Sequence, residues 1–177
     1  MTMRMAKIFI LSMLLLSFSN IVTADKFYSG DGLFFGYEEK YDFHQKGAIG
    51  VTLKENTLEG FLKHLVGCSY TMIHVCAFSH EQDPEETLKD WMDTEFYGDV
   101  TILGIDETLV KRKYKATFLE YDVEGSIDEH DICLSWNEPG KTYLIVSAAK
   151  PGYLKKYDEA SKLNMMKIAN TIQYIAD

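Results

Sequence analysis

The chain is short of cysteine. It has three, Cys68, Cys76 and Cys133, and an odd number leaves at least one thiol unpaired within the chain. The stretch from Tyr70 to Ser79 is predicted to be extended, which separates Cys68 from Cys76 by roughly 20 Å or more. Because a disulfide needs Cα atoms within about 7 Å, the better candidate is Cys76 with Cys133, on the condition that their strands are neighbours. The alternative is three buried thiols, since unpaired cysteine behaves as a small apolar residue.

Signatures of common enzyme and metal-binding classes are also missing. The sequence has no Gly-x-Ser-x-Gly, Cys-x-x-Cys or His-Glu-x-x-His element. The weak metal candidates are His74, Cys76 and His80, because alternate strand residues would direct His74 and Cys76 toward one zinc or copper ion. His130 and Cys133 add two further ligand types. The simpler interpretation is a histidine and a cysteine buried beneath a helix, so we predict no catalytic residue, no metal and no cofactor.

Basic residues are outnumbered. The chain has 18 Lys and Arg against 27 Asp and Glu, a net charge of −9. Such a surface repels nucleic-acid phosphates and anionic membranes and would attract a basic protein partner. The alternative, and the simpler interpretation, is that the charge serves solubility. The one dense basic patch is Lys111, Arg112, Lys113 and Lys115, which we interpret as protection of a strand end or sheet edge.

Acidic residues gather around the predicted turn at Gly125-Ser126. They are Asp122, Glu124, Asp128, Glu129 and Asp131. Their spacing is not that of a calcium-binding loop. We therefore predict a solvated end of a hairpin at this place rather than a calcium site.

Long apolar runs are absent after the N-terminus, where the sequence is typical of a secretory signal peptide. Arg4 and Lys7 precede the apolar run from Ile8 to Phe18, and Val22-Thr23-Ala24 offers small residues for cleavage. The run is shorter than the ~20 residues that cross a bilayer. We expect a leader over residues 1–24 and a single secreted or periplasmic domain over residues 25–177, without stable membrane insertion. The alternative is an uncleaved N-terminal anchor.

Cleavage after Ala24 would leave 153 of the 177 residues, enough for one domain with a core that needs no disulfide. The leader contains two basic residues and no acidic one, so 16 basic and 27 acidic residues would give the mature chain a net charge of −11. The mature chain is therefore expected to be more acidic than the precursor.

Hydrophobic periodicity predicts an α+β domain whose antiparallel sheet carries helices on both faces. Because both faces of the central strands are apolar, both need cover. The first residues, 25–36, are expected to be an irregular entry with one short strand. Strands are predicted at 41–44, 49–53, 70–79, 100–105, 110–123, 132–136 and 142–149. Helices are predicted at 56–66, 84–96 and 153–171, the second of them capped by Asp83 and started by Pro84.

The C-terminal strand and helix resemble those of the PsbP-like family, which includes extrinsic photosystem proteins, their bacterial relatives and a yeast Ran-binding import factor. The resemblance rests on Gly140, Lys141, Tyr143, Ser147 and Ala148, followed by a terminal helix. The segments Thr71–Ser79 and Pro84–Phe96 are similar to an earlier strand and helix of that family, so the resemblance covers about Tyr70–Ile175. It implies an α/β/α sandwich and a non-enzymatic role in binding or assembly, and it transfers no catalytic residue.

These observations lead to three functional hypotheses. The first is a secreted or periplasmic, non-enzymatic module that binds or assembles with a protein partner, as the PsbP-like resemblance implies. The second is an immunity-type protein that neutralises a basic toxin, because small size, export and acidity suit such a partner. The third is a small metal- or thiol-dependent enzyme that uses His74, Cys76 and His80.

Overall fold

The structure, a computed structural model, describes residues 26–47, 49–58, 72–95, 99–123, 130–149 and 155–175. The predicted leader, most of the predicted helix at 56–66 and Cys68 lie outside these residues. The described elements, in chain order, are β1 (Lys26–Gly30), β2 (Leu33–Tyr37), β3 (Tyr41–Lys46), β4 (Gly50–Glu55), β5 (Met72–Phe78), α1 (Pro84–Glu95), β6 (Val100–Val110), β7 (Tyr114–Val123), β8 (His130–Glu138), β9 (Lys141–Ala149), α2 (Lys155–Thr171) and β10 (Gln173–Tyr174).

A seven-stranded antiparallel sheet forms the centre of the fold, with the strand order β3-β4-β5-β9-β8-β7-β6. Its last four strands in the chain are a meander, as alternation predicted. The predicted hairpin between residues 41–44 and 49–53 is confirmed as β3 and β4. The α+β class is confirmed as well.

The predicted bounds of the first strand of the meander were wrong. Alternation predicted one strand over 110–123, but Val110 ends β6 and Tyr114 begins β7. Lys111 and Arg112 between them have φ angles of 52° and 55°, and the Lys113 amide donates to the Val110 carbonyl at 3.0 Å. Turns of this shape usually contain Asn or Gly. Neither is present here, so the sequence pattern did not indicate a turn.

The N-terminal residues form a second sheet instead of the predicted irregular entry. β1 and β2 make a hairpin whose turn is Asp31-Gly32, with φ angles of 50° and 73°. The short C-terminal strand β10 pairs with the other side of β2. Residues from both ends of the described chain are thus joined in one three-stranded sheet, β1-β2-β10.

Alternate residues of the central strands belong to two separate core clusters. Ile145 of β9 packs in a cluster with α2 and with β2 of the small sheet. Its neighbours Leu144 and Val146 pack in another cluster with α1. Burial of each large apolar side chain contributes roughly 1.5–3 kcal/mol, so both clusters contribute strongly to stability.

The two described helices begin and end close to their predicted bounds. At the start of α1 the Asp83 carboxylate accepts from the Glu85 amide at 2.9 Å, which is the predicted cap. Leu88, Trp91 and Met92 form its buried stripe. Along the described ranges, neither helix is both long enough and apolar enough to cross a bilayer.

Candidate functional site

The metal candidates lie around strand β5. His74 packs its ring against Trp91, with centroids 5.2 Å apart, and its Nδ1 lies 2.9 Å from Thr52 Oγ1. Cys76 is buried in the cluster beneath α1, so the two share a face as predicted. His80 follows the strand, and its carbonyl accepts from Thr142 Oγ1 at 2.9 Å. Over the described part of the chain, no three His, Cys, Asp or Glu residues are grouped in a way that could hold a metal.

The predicted disulfide between Cys76 and Cys133 is not formed. Its condition was that their strands are neighbours, but β9 lies between β5 and β8. Two interstrand spacings separate such residues by roughly 10 Å, more than the about 7 Å that a disulfide spans. Burial raises the pKa of the Cys133 thiol well above its usual range, which leaves it in the unreactive protonated form.

The acidic run is only partly described. Asp122 lies on β7 opposite His130 of β8, and Asp131 follows on β8, whereas Glu124, Asp128 and Glu129 lie outside the described residues. The basic patch occupies the β6–β7 turn and, with Lys115, the second residue of β7. There Lys111 Nζ forms an ion pair with Glu138 at 2.5 Å, and the patch ends the edge hairpin of the large sheet.

Strand β6 forms one edge of the large sheet. It is the longest strand described, with 11 residues, and one of its sides pairs with β7. Among the described strands none pairs with its other side. Three large apolar side chains of β6 are exposed: Leu103 by 52%, Ile105 by 60% and Leu109 by 52%. The sequence predicted only a short strand, over 100–105, so neither the length nor the exposure was expected.

Two of the exposed apolar residues of β6, Ile105 and Leu109, lie on the α1 side of the sheet. Ile105 is opposite Leu119, and Leu119 is buried in the α1 cluster. Leu109 shares this face because side chains alternate along a strand, and Leu103 lies at the bulge between Ile102 and Gly104. Glu107 is exposed between Ile105 and Leu109 on the same face, whereas Asp106 alternates to the other face. Lys115 of β7, which is also exposed, is opposite Leu109. The result is an apolar strip on β6 that contains one exposed carboxylate, Glu107.

A cleft of about 380 Å³ opens between the small sheet and the large sheet. Its apolar lining includes Leu33 of β2, Ala77 and Phe78 of β5, and Tyr174 of β10. The backbone amide of Ile175 donates to the Gly32 carbonyl at 2.8 Å, which holds β10 beside the β1–β2 turn. No motif in the sequence marks this cleft, because its lining comes from distant parts of the chain.

Two lysines and one carboxylate make the cleft polar on one side. Lys46 forms an ion pair with Asp31, and hydrogen bonds from Lys46 and Tyr28 lower the pKa of Asp31. Lys141 places its Nζ 3.3 Å from the centre of the Tyr174 ring, a cation–π contact. Apolar side chains and a lysine ammonium group therefore line the same cleft.

Comparisons with known proteins identify the fold. No protein-family model matches the chain, and no curated protein sequence matches it. The chain is similar to the solution structure of cyanobacterial PsbP (CyanoP) from Synechocystis sp. PCC 6803, with 13% identity and a TM-score of 0.50, over 84% of this chain and 91% of that one. At this identity the likeness concerns the fold alone. The predicted resemblance is confirmed at that level: the chain has the PsbP-like fold.

Proposed function

We propose that this protein is a secreted or periplasmic, non-enzymatic module that binds a protein partner along the exposed edge of β6. The observation that carries the proposal is an 11-residue edge strand with three exposed large apolar side chains. An edge strand presents unpaired N–H and C=O groups to which an extended segment of another chain can add as a further strand. The apolar side chains supply contact area beside those hydrogen bonds.

The charge within β6 supports a partner with basic residues. Asp106 and Glu107 are exposed within the strand, and from Val100 to Val110 the sequence contains neither lysine nor proline. Lysine and proline are residues with which natural proteins block edge strands. A partner segment of alternating apolar and basic residues would match β6 in both its apolar strip and its charge.

The buried chemistry supports a non-enzymatic role. Cys133 is fully buried, with an exposed fraction of 0%, and its raised pKa disfavours the reactive thiolate. His74 is held between Thr52 and Trp91. A nucleophile and a base need access to substrate, and the Cys133 thiol packs in the core, while the His74 ring is partly buried against Trp91.

Crosslinking from two exposed positions tests the binding role. A photoreactive benzoylphenylalanine would replace Ile105 on β6 in one variant and Phe43 on β3 in the other, positions that are 60% and 49% exposed. In the producing cell, illumination should join one protein to the Ile105 variant at several times its yield from the Phe43 variant. Equal yields at the two positions, or no product above the dark control, would contradict the proposal.

The proposed export has its own test. The proposal that residues 1–24 are removed rests on the charged, apolar and small-residue order of that segment. Intact mass and N-terminal sequencing of the exported protein should give a chain that begins at Asp25. A full-length chain retained in the membrane fraction would contradict cleavage and support an N-terminal anchor.

The layer arrangement is proposed as an α/β/α sandwich. Residues 144–146 alternate between the two core clusters, one with α1 and one with α2, which supports helix cover on both faces. Methyl NOEs in labelled protein should connect Met92 of α1 with Leu144 or Val146, and Met165 of α2 with Ile145. NOEs from both helices to the same face would contradict the arrangement.

An immunity-type protein that neutralises a basic toxin is the second candidate. The exposed side of α1 favours this candidate, because it carries three carboxylates, those of Glu86, Asp90 and Asp93, and one lysine, Lys89. Here the crosslinked partner should be a basic toxin, and its association rate should fall steeply as salt is raised. Replacing Glu86, Asp90 and Asp93 together by Gln and Asn should then slow association more than lysine substitutions on β6. The opposite order would identify the β6 edge as the main contact.

A further inference from the structure

We propose that the cleft between the two sheets binds a small organic anion, a molecule with an apolar body and one carboxylate-like head group. This site is separate from the β6 edge, since it is formed by residues of β2, β3, β5, β9 and β10 and by the turns beside them. The proposal rests on the size of the cleft, its apolar wall and the position of one ammonium group.

The wall of the cleft suits an apolar body. Leu33 is buried and Ala77 partly buried in the cluster that includes α2. Phe78 and Ile49, which also line the cleft, pack with the cluster that includes α1. The volume of about 380 Å³ is within the range of roughly 300–1,000 Å³ that is typical of small-molecule sites. A ring or short alkyl chain placed there would exchange contact with water for contact with these side chains.

The charge of the cleft is concentrated at Lys141. The other lysine, Lys46, is matched by Asp31. Within the described chain no carboxylate forms an ion pair with Lys141 Nζ, which lies over the Tyr174 ring instead. Contact with a ring face occupies one side of an ammonium group that carries three N–H donors. The remaining donors can serve an anionic head group, with which a charge-assisted hydrogen bond is stronger than with a neutral one.

Two glycines keep the cleft in this shape. Gly32 has a φ of 73°, and a Cβ there would lie 3.0 Å from the Tyr174 ring. At Gly50 a Cβ would lie 2.3 Å from the Val75 carbonyl oxygen, a distance that requires the backbone to shift. Glycine at these positions lets Tyr174 and β5 approach closely, which places the Tyr174 ring and the Lys141 ammonium together in the cleft.

A matched pair of fluorescent probes tests the proposal. 8-Anilinonaphthalene-1-sulfonate has an apolar body and one anionic group, and N-phenyl-1-naphthylamine has a similar body without charge. Both would be titrated into the intact mature protein, with amide shifts followed by NMR. The anionic probe should bind more tightly than the neutral one and should shift the signals of Gly50, Ser79 and Lys141. Shifts confined to β6 would overturn the proposal.

Three variants identify the groups that bind. Lys141→Met keeps the length of the side chain and removes its charge. It should lower the affinity for the anionic probe about tenfold or more, while the affinity for the neutral probe should change less than about twofold. Lys89→Met, on the exposed side of α1, is the control and should change neither. Ser79→Phe, which partly fills the cleft from an exposed position, should reduce binding of both probes.

Unchanged binding of the anionic probe to Lys141→Met with an intact fold would contradict the role of Lys141. Unchanged binding to Ser79→Phe would contradict the location.

Discussion

The two edges of the large sheet, β3 and β6, differ in how they meet solvent. β3 has six residues, and its Asp42 accepts from Lys26 Nζ at 2.6 Å and from Asn56 Nδ2 at 2.5 Å. Its exposed Phe43 stacks on Tyr28 at 5.7 Å. β6 has 11 residues and exposes Leu103, Ile105 and Leu109. The two edges of one sheet thus differ in protection, so the exposure of β6 does not follow from its edge position alone.

The largest expected effect separates the two members of one cross-strand pair. Leu119→Ala on β7 should lower the free energy of unfolding by about 2–5 kcal/mol, because its side chain is 1% exposed. Ile105→Ala, directly opposite on β6, should lower it by less than about 0.5 kcal/mol. Urea denaturation of both variants measures the difference. A loss of 2 kcal/mol or more at Ile105 would mean that this residue serves the core rather than a partner.

Affinity for the crosslinked partner should differ between the two edges. The pair of changes Ile105→Lys and Leu109→Lys should weaken binding by about 30-fold or more, as loss of central apolar contacts costs roughly 2 kcal/mol or more. The matched pair His44→Lys and Gln45→Lys on β3 should change it less than about twofold. Isothermal titration calorimetry with the purified partner provides the test. Similar losses at both edges would remove the distinction between them.

A smaller effect is expected at the turn that ends β6. Arg112 is exposed and has a φ of 55°, a left-handed conformation that glycine adopts without steric cost. Arg112→Gly should therefore raise the free energy of unfolding by about 0.5–1 kcal/mol. Lys113→Gly, in the same turn without a positive φ, should lower it instead. Thermal or urea unfolding of the two variants compares them, and stabilisation by both would show that backbone conformation is not the cause.

The smallest effect concerns protonation at the β3 edge. Hydrogen bonds from Lys26 and Asn56 lower the pKa of the Asp42 carboxyl. Because the folded pKa is below the unfolded one, this contribution is present above the unfolded pKa and is lost as pH falls through the folded pKa. Lys26→Met should move the pKa of Asp42 upward, toward its ordinary value, in a carbon-detected NMR titration. Asn56→Ala should move it less, since the Lys26 hydrogen bond is the larger cause. An unchanged pKa in Lys26→Met would contradict this order.

Local patterns predicted the regular elements best. Asp83-Pro84 marked the start of α1 because capping and the fixed φ of proline act within one turn of helix. Alternation placed β8, β9 and the hairpin of β3 with β4. It failed at Lys111-Arg112, where alternation continues through a turn without glycine or asparagine. It also failed at Asp31-Gly32, a pair typical of hairpin turns, because Gly30, Gly32 and Gly36 interrupt the alternation from which strands are predicted.

Pairing between distant strands explains what the sequence did not predict. The disulfide hypothesis required β5 beside β8, and β9 inserts between them. Each interstrand distance depends on which strands become neighbours, and no local pattern contains that information. The exposure of Ile105 also depends on strand pairing. An apolar residue at an alternating position is expected to be buried unless its strand lies at an edge, and the sequence does not show which strand is an edge.

By itself, the sequence determined the α+β class, the acidic charge and the positions of α1, α2 and most strands, because these depend on composition and on contacts within a few residues. The resemblance carried by the C-terminal strand and helix extended this to the PsbP-like fold. Tertiary structure alone decided that β6 is an edge, that β9 separates Cys76 from Cys133, and that Lys141 meets Tyr174 across a cleft. The physical reason is that these contacts join residues far apart in the chain, and only the packing of both sheets brings them together.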